Sequence, residues 1–448
     1  MPRLVIIGAD AAGMSAASRA RRLDRDLEIV AFERGAYASY AACGLPYFVA
    51  EEVHSADSLI ARRPEEFAKQ SIDVHLHHEV VDIDPVARRV QVEDLDSGAR
   101  RHEPYDELLI ATGARPVVPP LPGTDLPGVF VIKRIEDAEA VSDRLASGGR
   151  AVVIGGGYIG LEMVEAFAAR GMHTTVIEAE DRLLPFLDPP LSELVRAEVE
   201  NAGAEVRLET RLEGIETRQG GLGVSTSAGE LPADVVVIAV GIRPNAELAE
   251  AAGLELGAGG AIITDDRMAT AQGGIWAAGD CCQCIHRVTG QPVWIPLGDT
   301  ANRMGRVAGT NLGGGDDRFP GVVGTAITRA FRRGFARTGL SIREAQAAGL
   351  EVQSVHVDAA DRAGYFPSRR DARVLLVWEK SSGRLVGGQI AGYADAAKRI
   401  DSLAVAITAG WTVDDLRHAD LAYAPPYSPT WDPVLIAANV ASGKAARG

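Results

Sequence analysis

Short apolar runs that stop at a glycine recur along the chain, and two of them lead into the same kind of turn. Residues 5–7 run into Gly8, and residues 152–154 run into Gly155. Each glycine opens a stretch that favours a helix, so the pattern predicts a buried strand, a tight turn and a helix. Further runs that predict buried strands lie at 108–111, 235–240 and 274–280.

Both turns carry a glycine pattern suited to a dinucleotide. The first reads GADAAG at 8–13, and the second reads GGGYIG at 155–160. In such a turn the freed backbone N–H groups and the helix dipole face an anionic pyrophosphate. A β-branched run after each helix ends in an acid, Glu33 or Glu178, at a spacing that suits a ribose hydroxyl. Two dinucleotide sites in one protein indicate electron transfer between them.

The order of the runs predicts that one dinucleotide-binding domain interrupts another, because the run at 274–280 resumes the pattern of the first unit. Short strands at 351–357, 373–379 and 385–391, with two helical stretches, predict a third, α+β unit. The predicted fold is α/β, with two Rossmann-like dinucleotide-binding domains and a C-terminal α+β domain. The predicted boundaries are 1–117 and 242–321 for the first domain, 118–241 for the second and 322–448 for the third.

Composition and charge disfavour several classes of binding partner and location. The 448 residues carry a formal net charge of −15, which disfavours nucleic acid and anionic membranes as partners. No apolar run has the length of a membrane-spanning helix, and residues 1–3 leave no room for a signal peptide before the first strand. Four cysteines in a chain of this length do not form an extracellular disulfide framework, so we expect a cytoplasmic protein.

Four further segments narrow the family. They read SYAACGLPY at 39–47, GIRPN at 241–245, GDC at 279–281 and PLGDTANR at 296–303. Together with the two turns they resemble the single-cysteine branch of the pyridine nucleotide–disulfide oxidoreductases. That branch contains coenzyme A-disulfide reductases, NADH oxidases, NADH peroxidases and CoA-persulfide reductases. The resemblance implies FAD in the first unit, NADH or NADPH in the second, and a C-terminal domain that pairs two subunits as a homodimer.

Cys43 is the only cysteine before position 281, and residues 44–53 contain no second thiol. Pro46 fits the first turn of a helix, which would place Cys43 near a positive helix end that favours the thiolate. The alternative is an inert buried cysteine. The surrounding motif favours a redox role, with the sulfur resting as a mixed disulfide or a sulfenic acid. The resemblance also implies that Tyr365, and one of Tyr423 and Tyr427, reach the partner subunit's thiol and protonate its leaving group.

The resemblance assigns the remaining positions. Besides Cys43, the cofactor-binding residues it implies are Gly8, Ala11, Ala12, Gly13, Glu33, Arg34, Ser39, Val80, Ala111, Thr112, Gly113, Arg115, Gly155, Gly157, Tyr158, Ile159, Gly160, Glu162, Glu178, Gly241, Gly279, Asp280, Pro296, Leu297, Thr300 and Ala301. The expected coenzyme A contacts are Arg19, Arg22, Ser39, Ala42, Arg62 and Arg63, where relatives often have asparagine in place of Ala42. An alternative for the arginines is a solvated helix face.

Residues near the second glycine turn indicate whether the protein prefers NADH or NADPH. Glu178 should accept from a ribose 2′-hydroxyl and favour NADH, whereas Arg182 leaves NADPH possible. By resemblance Tyr158 covers the flavin, and Glu162 lies either near the nicotinamide or serves only as a favourable charge at a helix start.

Two other clusters have simpler interpretations. Cys281, Cys282 and Cys284 with His286 are too closely spaced for a metal site, so small apolar packing is favoured. His75 and His77 are expected to share one face of a solvated strand.

The leading interpretation is an NADH-dependent flavoenzyme that reduces a small disulfide, most of all coenzyme A disulfide, through a Cys43 mixed disulfide. The alternatives that use the same sulfur are an NADH oxidase and a CoA-persulfide or polysulfide reductase. A flavin-based redox sensor or electron-transfer protein is a third class.

Overall fold

The structure, a computed structural model, describes residues 2–445. The elements of its first segment are β1 (Arg3–Ile7), α1 (Ala11–Leu23), β2 (Glu28–Phe32), α2 (Leu45–Val49), α3 (Pro64–Ala68), β3 (Ile72–His75), β4 (His78–Asp84), β5 (Arg89–Asp94), β6 (Arg100–Pro104), β7 (Glu107–Ile110) and β8 (Ala114–Pro116). The central segment contains β9 (Val129–Phe130), α4 (Ile135–Ser142), β10 (Arg150–Ile154), α5 (Tyr158–Ala169), β11 (His173–Ile177), α6 (Pro189–Asn201), β12 (Glu205–Arg207), β13 (Leu212–Arg218), β14 (Gly221–Thr226), β15 (Gly229–Ala233) and β16 (Val235–Ile238).

The chain continues through β17 (Ile242–Pro244), α7 (Glu247–Ala251), β18 (Ile275–Ala277), β19 (Cys284–Ile285), β20 (Pro292–Val293) and α8 (Gly298–Leu312). The last segment contains β21 (Ala326–Ala330), β22 (Arg333–Gly339), α9 (Ile342–Ala347), β23 (Val352–Ala360), β24 (Asp371–Glu379), β25 (Leu385–Tyr393), α10 (Ile400–Thr408), α11 (Val413–Arg417) and α12 (Pro433–Ala445).

The first parallel sheet contains strands from both sides of the central segment. Its order is β18-β7-β1-β2-β3, and β18 lies parallel to β7 with Ile275 opposite Leu108. The chain therefore leaves this sheet after β7, builds a second sheet and returns. Because all these strands are parallel, the residues that follow β1, β2, β7 and β18 emerge at one edge, where ligands bind in open α/β sheets.

The second parallel sheet repeats the design of the first. Its order is β12-β11-β10-β16-β9, and the antiparallel strands β13-β14-β15 pack on it through Ile215 and Val224. The first sheet has a matching antiparallel set, β4-β5-β6. The near-continuous apolar strands, such as Val235–Ile238, are buried on both faces, as parallel sheets require.

The third sheet is antiparallel, in the order β21-β22-β25-β24-β23. Alternate residues of β24 enter different cores: Leu376 and Trp378 pack with α10 and α12, whereas Leu375 and Val377 join the core around α5. This sheet therefore serves both as the centre of its own unit and as a wall against the central segment.

Two expectations about local structure need correction. The three predicted C-terminal strands correspond to β23, β24 and β25, but their predicted ends differ from the observed ends by up to three residues. The sheet also includes β21 and β22, which were not predicted. The expectation that His75 and His77 share a strand face is wrong, because β3 ends at His75 and the backbone of His77 turns at a φ of 55°. Within residues 2–445, no helix combines the length and apolar character needed to cross a membrane.

Candidate active site between the three units

The two glycine turns have nearly the same geometry. Gly8 has a φ of +100°, and a Cβ atom there would lie 2.3 Å from the carbonyl oxygen of Ala111. Gly155 has a φ of +106°, and its Cβ atom would lie 2.4 Å from the carbonyl oxygen of Ala239. Each turn thus passes so close to the neighbouring strand that only glycine fits.

The last glycine of each turn brings the following helix onto the turn. A Cβ atom on Gly13 would lie 2.0 Å from the carbonyl oxygen of Gly8, and one on Gly160 would lie 1.9 Å from that of Gly155. The first turns of α1 and α5 are therefore held against the strand ends, with their free N–H groups at the sheet edge.

The acids predicted from spacing lie at the mouths of these turns. Glu33 accepts hydrogen bonds from the N–H groups of Ala9 (2.9 Å) and Gly35 (2.8 Å). Glu178 accepts from those of Gly156 (2.7 Å) and Glu180 (2.9 Å). Both carboxylates are placed where a ribose bound along the turn would meet them.

The residues around the first turn fit an extended dinucleotide. Gly279 faces α1 so closely that a Cβ atom would lie 2.8 Å from the Cβ of Ala12. Gly305 and Gly309 let α8 cross α1 at backbone contact, which places the start of α8 beside the turn. Burial raises the pKa of the Asp280 carboxyl above its usual value, and Lys133 opposes this shift. An acidic side chain, helix N-termini and a glycine cradle together form a suitable site for FAD.

Most other cofactor positions expected in the first unit line this edge, and some are held by protein partners. Thr112 and Asn245 exchange two hydrogen bonds, of 2.6 and 2.8 Å, and Arg115 donates to Asn245 at 2.7 Å. Pro296 and Leu297 precede α8, where Thr300 and Ala301 are buried. Val80 belongs to the core of the first unit, whereas Arg34 lies on the surface near Glu79.

Cys43 lies in a short 3-10 turn, residues 42–44, immediately before α2. Its side chain is exposed, while Leu45 and Val49 of α2 are buried in one core with Leu161 of α5 and Ile135 of α4. The helix that follows the thiol is thus anchored in the central segment, and the thiol lies where the first and central segments meet.

The charges around Cys43 correct one expectation. The protein shields part of the Cys43 thiol from water, and this desolvation raises its pKa. The carboxyls of Glu162, Asp280 and Asp10 raise the pKa further. Lys133 acts in the opposite direction. The expected lowering of this pKa is therefore not found in the protein alone: desolvation and the three carboxyls raise it, and the helix that follows has only five residues.

Glu162 joins the third unit to this site. Burial raises its pKa to about 7, and the Thr328 hydroxyl of β21 lies 3.5 Å from a Glu162 oxygen. One turn later, Glu165 pairs with Arg329 at 2.6 Å and accepts from the N–H of Phe331.

Tyr158 packs against Phe186 with ring centroids 4.4 Å apart. Because Arg182 makes a two-pronged contact with Asp181, its guanidinium is already engaged.

The expected tyrosines lie in two loops that contact each other. The N–H of Ala363 donates to the carbonyl of Pro425. Desolvation raises the pKa of Tyr365, and the neighbouring phenol of Tyr423 raises it further. The exposed fractions are 76% for Tyr365, 52% for Tyr423 and 77% for Tyr427. The structure brings Tyr365 and Tyr423 together and leaves all three rings open to a partner.

Three of the four arginines expected to bind coenzyme A already contact other protein groups. Arg19 donates to Thr310 of α8 at 3.0 Å, and Arg63 pairs with Asp57 at 2.8 Å. Arg62 reaches Ser18 of α1 at 2.8 Å and lies over the Phe67 ring, and Arg22 is exposed one turn further along α1. Arg22 is thus exposed on α1, and Arg62 lies against the same helix at Ser18.

Ser39 and Ala42 bracket the turn that leads to the thiol. The N–H of Ser39 donates to the carbonyl of Ala9 at 2.8 Å, and its backbone has a φ of 48°. The thiol loop is therefore fixed directly to the first glycine turn.

Three residues at this site, Asp10, Tyr40 and Lys133, were given no binding or catalytic role from the sequence. Asp10 accepts from the N–H of Tyr40, and burial raises its pKa to about 6. The Tyr40 hydroxyl donates to the carbonyl of Lys133 at 3.3 Å. Asp10 could have been noticed from the sequence, because an acid inside a glycine motif is unusual. Lys133 follows a short strand, and no sequence pattern there indicates a functional residue.

The three other cysteines are buried beneath this edge. The sulfur of Cys281 lies 3.7 Å from that of Cys282 and near the carbonyl of Ala278, and Cys284 belongs to the same core. Over residues 2–445, no group of three or more metal-ligating side chains has the geometry to hold an ion.

Comparison with known proteins agrees with this geometry. A family model described as pyridine nucleotide-disulphide oxidoreductase matches residues 2–305, and its dimerisation-domain model matches residues 329–433.

Individual relatives cover nearly the whole chain. The CoA-dependent NAD(P)H sulfur oxidoreductase of Pyrococcus furiosus is 40% identical over 98% of this chain and 98% of its own. A coenzyme A disulfide reductase of Staphylococcus aureus is 29% identical over 96% of this chain and 97% of its own. The solved structure of a NAD-dependent persulfide reductase from A. fulgidus is 43% identical, with a TM-score of 0.96 over 99% of this chain and 84% of that one.

Proposed function

This chain belongs to the pyridine nucleotide-disulphide oxidoreductase family, and within it we propose a FAD-dependent NAD(P)H reductase that cleaves sulfur–sulfur bonds of coenzyme A-linked substrates through Cys43. The observation that carries the proposal is the exposed Cys43, alone between two dinucleotide turns. With no second thiol in residues 44–53, its partner sulfur must come from an incoming molecule.

The two turns have separate ligands in this proposal. Gly8–Gly13 and Glu33 would hold FAD, and Gly155–Gly160 and Glu178 would hold the nicotinamide coenzyme. FAD held there would supply two-electron transfer from the nicotinamide coenzyme to sulfur. The pairing of Arg182 with Asp181 supports NADH as the preferred coenzyme, because that guanidinium is not free for a 2′-phosphate.

The protein residues supply the sulfur chemistry. The Cys43 thiolate attacks one sulfur of the substrate, forms a mixed disulfide and expels a thiolate, which takes a proton from a tyrosine hydroxyl. Two electrons that originate in NADH then break the Cys43 disulfide, release the second thiol and restore the Cys43 thiolate. Lys133 favours the thiolate at each stage, against the carboxyls that raise its pKa.

Two substrates satisfy this chemistry, coenzyme A disulfide and coenzyme A persulfide or polysulfide. The tyrosines at positions typical of coenzyme A-disulfide reductases favour the first, and the names of the Pyrococcus furiosus and A. fulgidus relatives favour the second. Arg22 and Arg62 are available for the anionic end of coenzyme A in either case. Both substrates are cleaved at Cys43, so the choice between them changes only the leaving group.

The active unit in this proposal is a homodimer. The dimerisation-domain match and the exposed tyrosines support a partner that contributes Tyr365 and Tyr423 to the site at Cys43. Tyr427 has no polar side-chain contact among residues 2–445, and we assign it to the interface.

The test compares electron acceptors under the same conditions. NADH consumption is followed without oxygen, with coenzyme A disulfide or coenzyme A persulfide, and then with oxygen as the only acceptor. We expect the coenzyme A-linked acceptors to exceed oxygen by about 100-fold or more in kcat/KM, because only they can form the mixed disulfide. Faster turnover with oxygen would identify an oxidase instead.

A further inference from the structure

One guanidinium bonds to both tyrosine-bearing loops, which are also joined by the backbone hydrogen bond from Ala363 to Pro425. Arg399, just before α10, donates to the carbonyl of Asp361 at 2.9 Å and to the carbonyl of Tyr427 at 2.7 Å. Asp361 begins the loop that carries Tyr365, and Tyr427 ends the segment that carries Tyr423. One side chain thus bonds to the backbone of both loops.

This guanidinium is itself fixed by a buried carboxylate. Its Nε atom lies 2.7 Å from Asp432, and the side chains of Arg399 and Asp432 are 16% and 8% exposed. Asp432 also accepts from the Ser428 hydroxyl and the N–H of Val434, each at 2.9 Å. Because both its oxygens have partners, the carboxylate cannot turn without breaking several bonds.

The loop that carries Tyr365 is also held at its base by hydrogen bonds within the hairpin. Asp361 and Arg370 exchange hydrogen bonds of 2.8 Å across the base of the hairpin between β23 and β24. The polar contacts between this loop and the segment of Tyr423 include the two backbone bonds of Arg399 and the bond from Ala363 to Pro425.

We propose that the Arg399–Asp432 pair is the positioning device that holds Tyr365 and Tyr423 side by side, so that their hydroxyls reach a substrate sulfur together. The inference rests on the proposed function. Arginine is required because its planar fork serves three acceptors in fixed directions, whereas one ammonium group cannot. The pair does not touch substrate and acts only through the two loops.

The experiment measures the two half-reactions of the purified dimeric flavoprotein separately. Arg399→Lys is compared with wild type for flavin reduction by NADH and for reoxidation by coenzyme A disulfide or persulfide. We expect NADH reduction to change less than twofold and reoxidation to slow about tenfold, because general acid catalysis by a positioned group contributes about 10²- to 10⁴-fold. Arg373→Lys is the matched control, since Arg373 pairs with Asp358 on the same hairpin and contacts neither tyrosine loop.

A second set of variants separates positioning from general loss of structure. In a Tyr365→Phe, Tyr423→Phe background, Arg399→Lys should slow reoxidation by less than twofold, because the groups it positions are already absent. An equal loss in both backgrounds, or a similar loss in Arg373→Lys, would overturn the proposal. If Arg399→Lys does not fold, Asp432→Asn keeps the side-chain volume and is judged by the same comparison.

The proposed function can fail independently. If wild-type reduced protein is not reoxidised by either coenzyme A-linked acceptor, the function is wrong and the positioning role falls with it. If wild type reoxidises and Arg399→Lys is unaffected, only the positioning role is wrong.

Discussion

At the residue scale, Cys43 combines an exposed sulfur with a pKa above its ordinary value. Desolvation raises this pKa most, Glu162, Asp280 and Asp10 raise it further, and Lys133 lowers it. A nucleophile in this setting is sensitive to its charged neighbours. Its reactivity should therefore respond to single charge changes near it.

Cys43→Ser should abolish reduction of coenzyme A-linked acceptors, by about 10³-fold or more, because the hydroxyl cannot form the mixed disulfide. Flavin content and reduction by NADH should remain, since the glycine turns are untouched. Absorbance spectra and stopped-flow traces measure both. Retention of near-normal acceptor turnover would remove Cys43 from the mechanism.

Glu162→Gln and Lys133→Met should move the pKa of Cys43 in opposite directions. Removing the Glu162 carboxylate takes away a charge that raises this pKa, so the thiolate should form at lower pH and alkylation at neutral pH should accelerate about three- to tenfold. Removing Lys133 should slow alkylation for the opposite reason.

The measurement is the rate of alkylation by iodoacetamide between pH 6 and pH 10. Glu79→Gln, which lies on the surface beside Arg34, serves as the control and should leave the profile in place. A shift in the same direction for both Glu162→Gln and Lys133→Met would contradict the electrostatic account.

Residue-level prediction from sequence succeeded where a motif fixed the backbone. Gly8, Gly13, Glu33 and Glu178 lie where spacing predicted, because a strand, a turn and a helix have fixed dimensions. Lys133 was missed because its side chain meets Cys43 only through long-range folding. The roles assigned to Tyr365 and the other site residues remain predictions.

At the element scale, two glycines of the second turn allow effects on stability to be separated from effects on NADH binding. A Cβ atom on Gly155 would meet backbone at 2.4 Å, whereas one on Gly157 meets nothing within 4 Å and the Gly157 φ of −78° suits alanine. Gly157 is left open toward the space where a pyrophosphate would lie.

Gly155→Ala should therefore destabilise the protein, by about 1 to 3 kcal/mol from backbone strain alone, and also weaken NADH binding. Gly157→Ala should keep the unfolding midpoint of wild type and still weaken NADH binding about tenfold, because its methyl group occupies the ligand's place. Thermal unfolding and NADH titration measure the two effects. Unchanged NADH affinity in Gly157→Ala would place the coenzyme elsewhere.

The elements themselves were largely predictable, with two instructive exceptions. The parallel strands of both Rossmann-like sheets follow from apolar runs that are buried on both faces. The sheet of the third unit was only partly foreseen, because β21 and β22 carry arginines, Arg329 and Arg337, that pair with acids and do not look like core. The turn at His77 was missed because only its positive φ distinguishes it from a continuous strand.

At the scale of the whole molecule, the site forms where three units meet. α2 follows Cys43 and packs on the central segment, Glu162 comes from α5, and Thr328 comes from β21. The tyrosines face outward in the single chain. In the proposed homodimer, the second copy would cover this site and bring its tyrosines to Cys43.

Mixed dimers test that arrangement. Subunits with Cys43→Ser are combined with subunits that carry Tyr365→Phe and Tyr423→Phe, each nearly inactive alone. If tyrosines act on the partner's thiol, every mixed dimer contains one intact site, and random exchange should restore about a quarter of wild-type activity. No recovery, with exchange verified by native mass spectrometry, would place the thiol and the tyrosines in one subunit.

The most direct test of the central claim is the mass of the trapped sulfur intermediate. NADH-reduced protein is mixed with excess coenzyme A disulfide, quenched in acid, and measured as intact protein and as peptides. The account predicts one coenzyme A moiety per subunit on the peptide that contains Cys43, removed by a reducing agent and absent from Cys43→Ser. Added oxygen on Cys43, or coenzyme A on no cysteine at all, would contradict it.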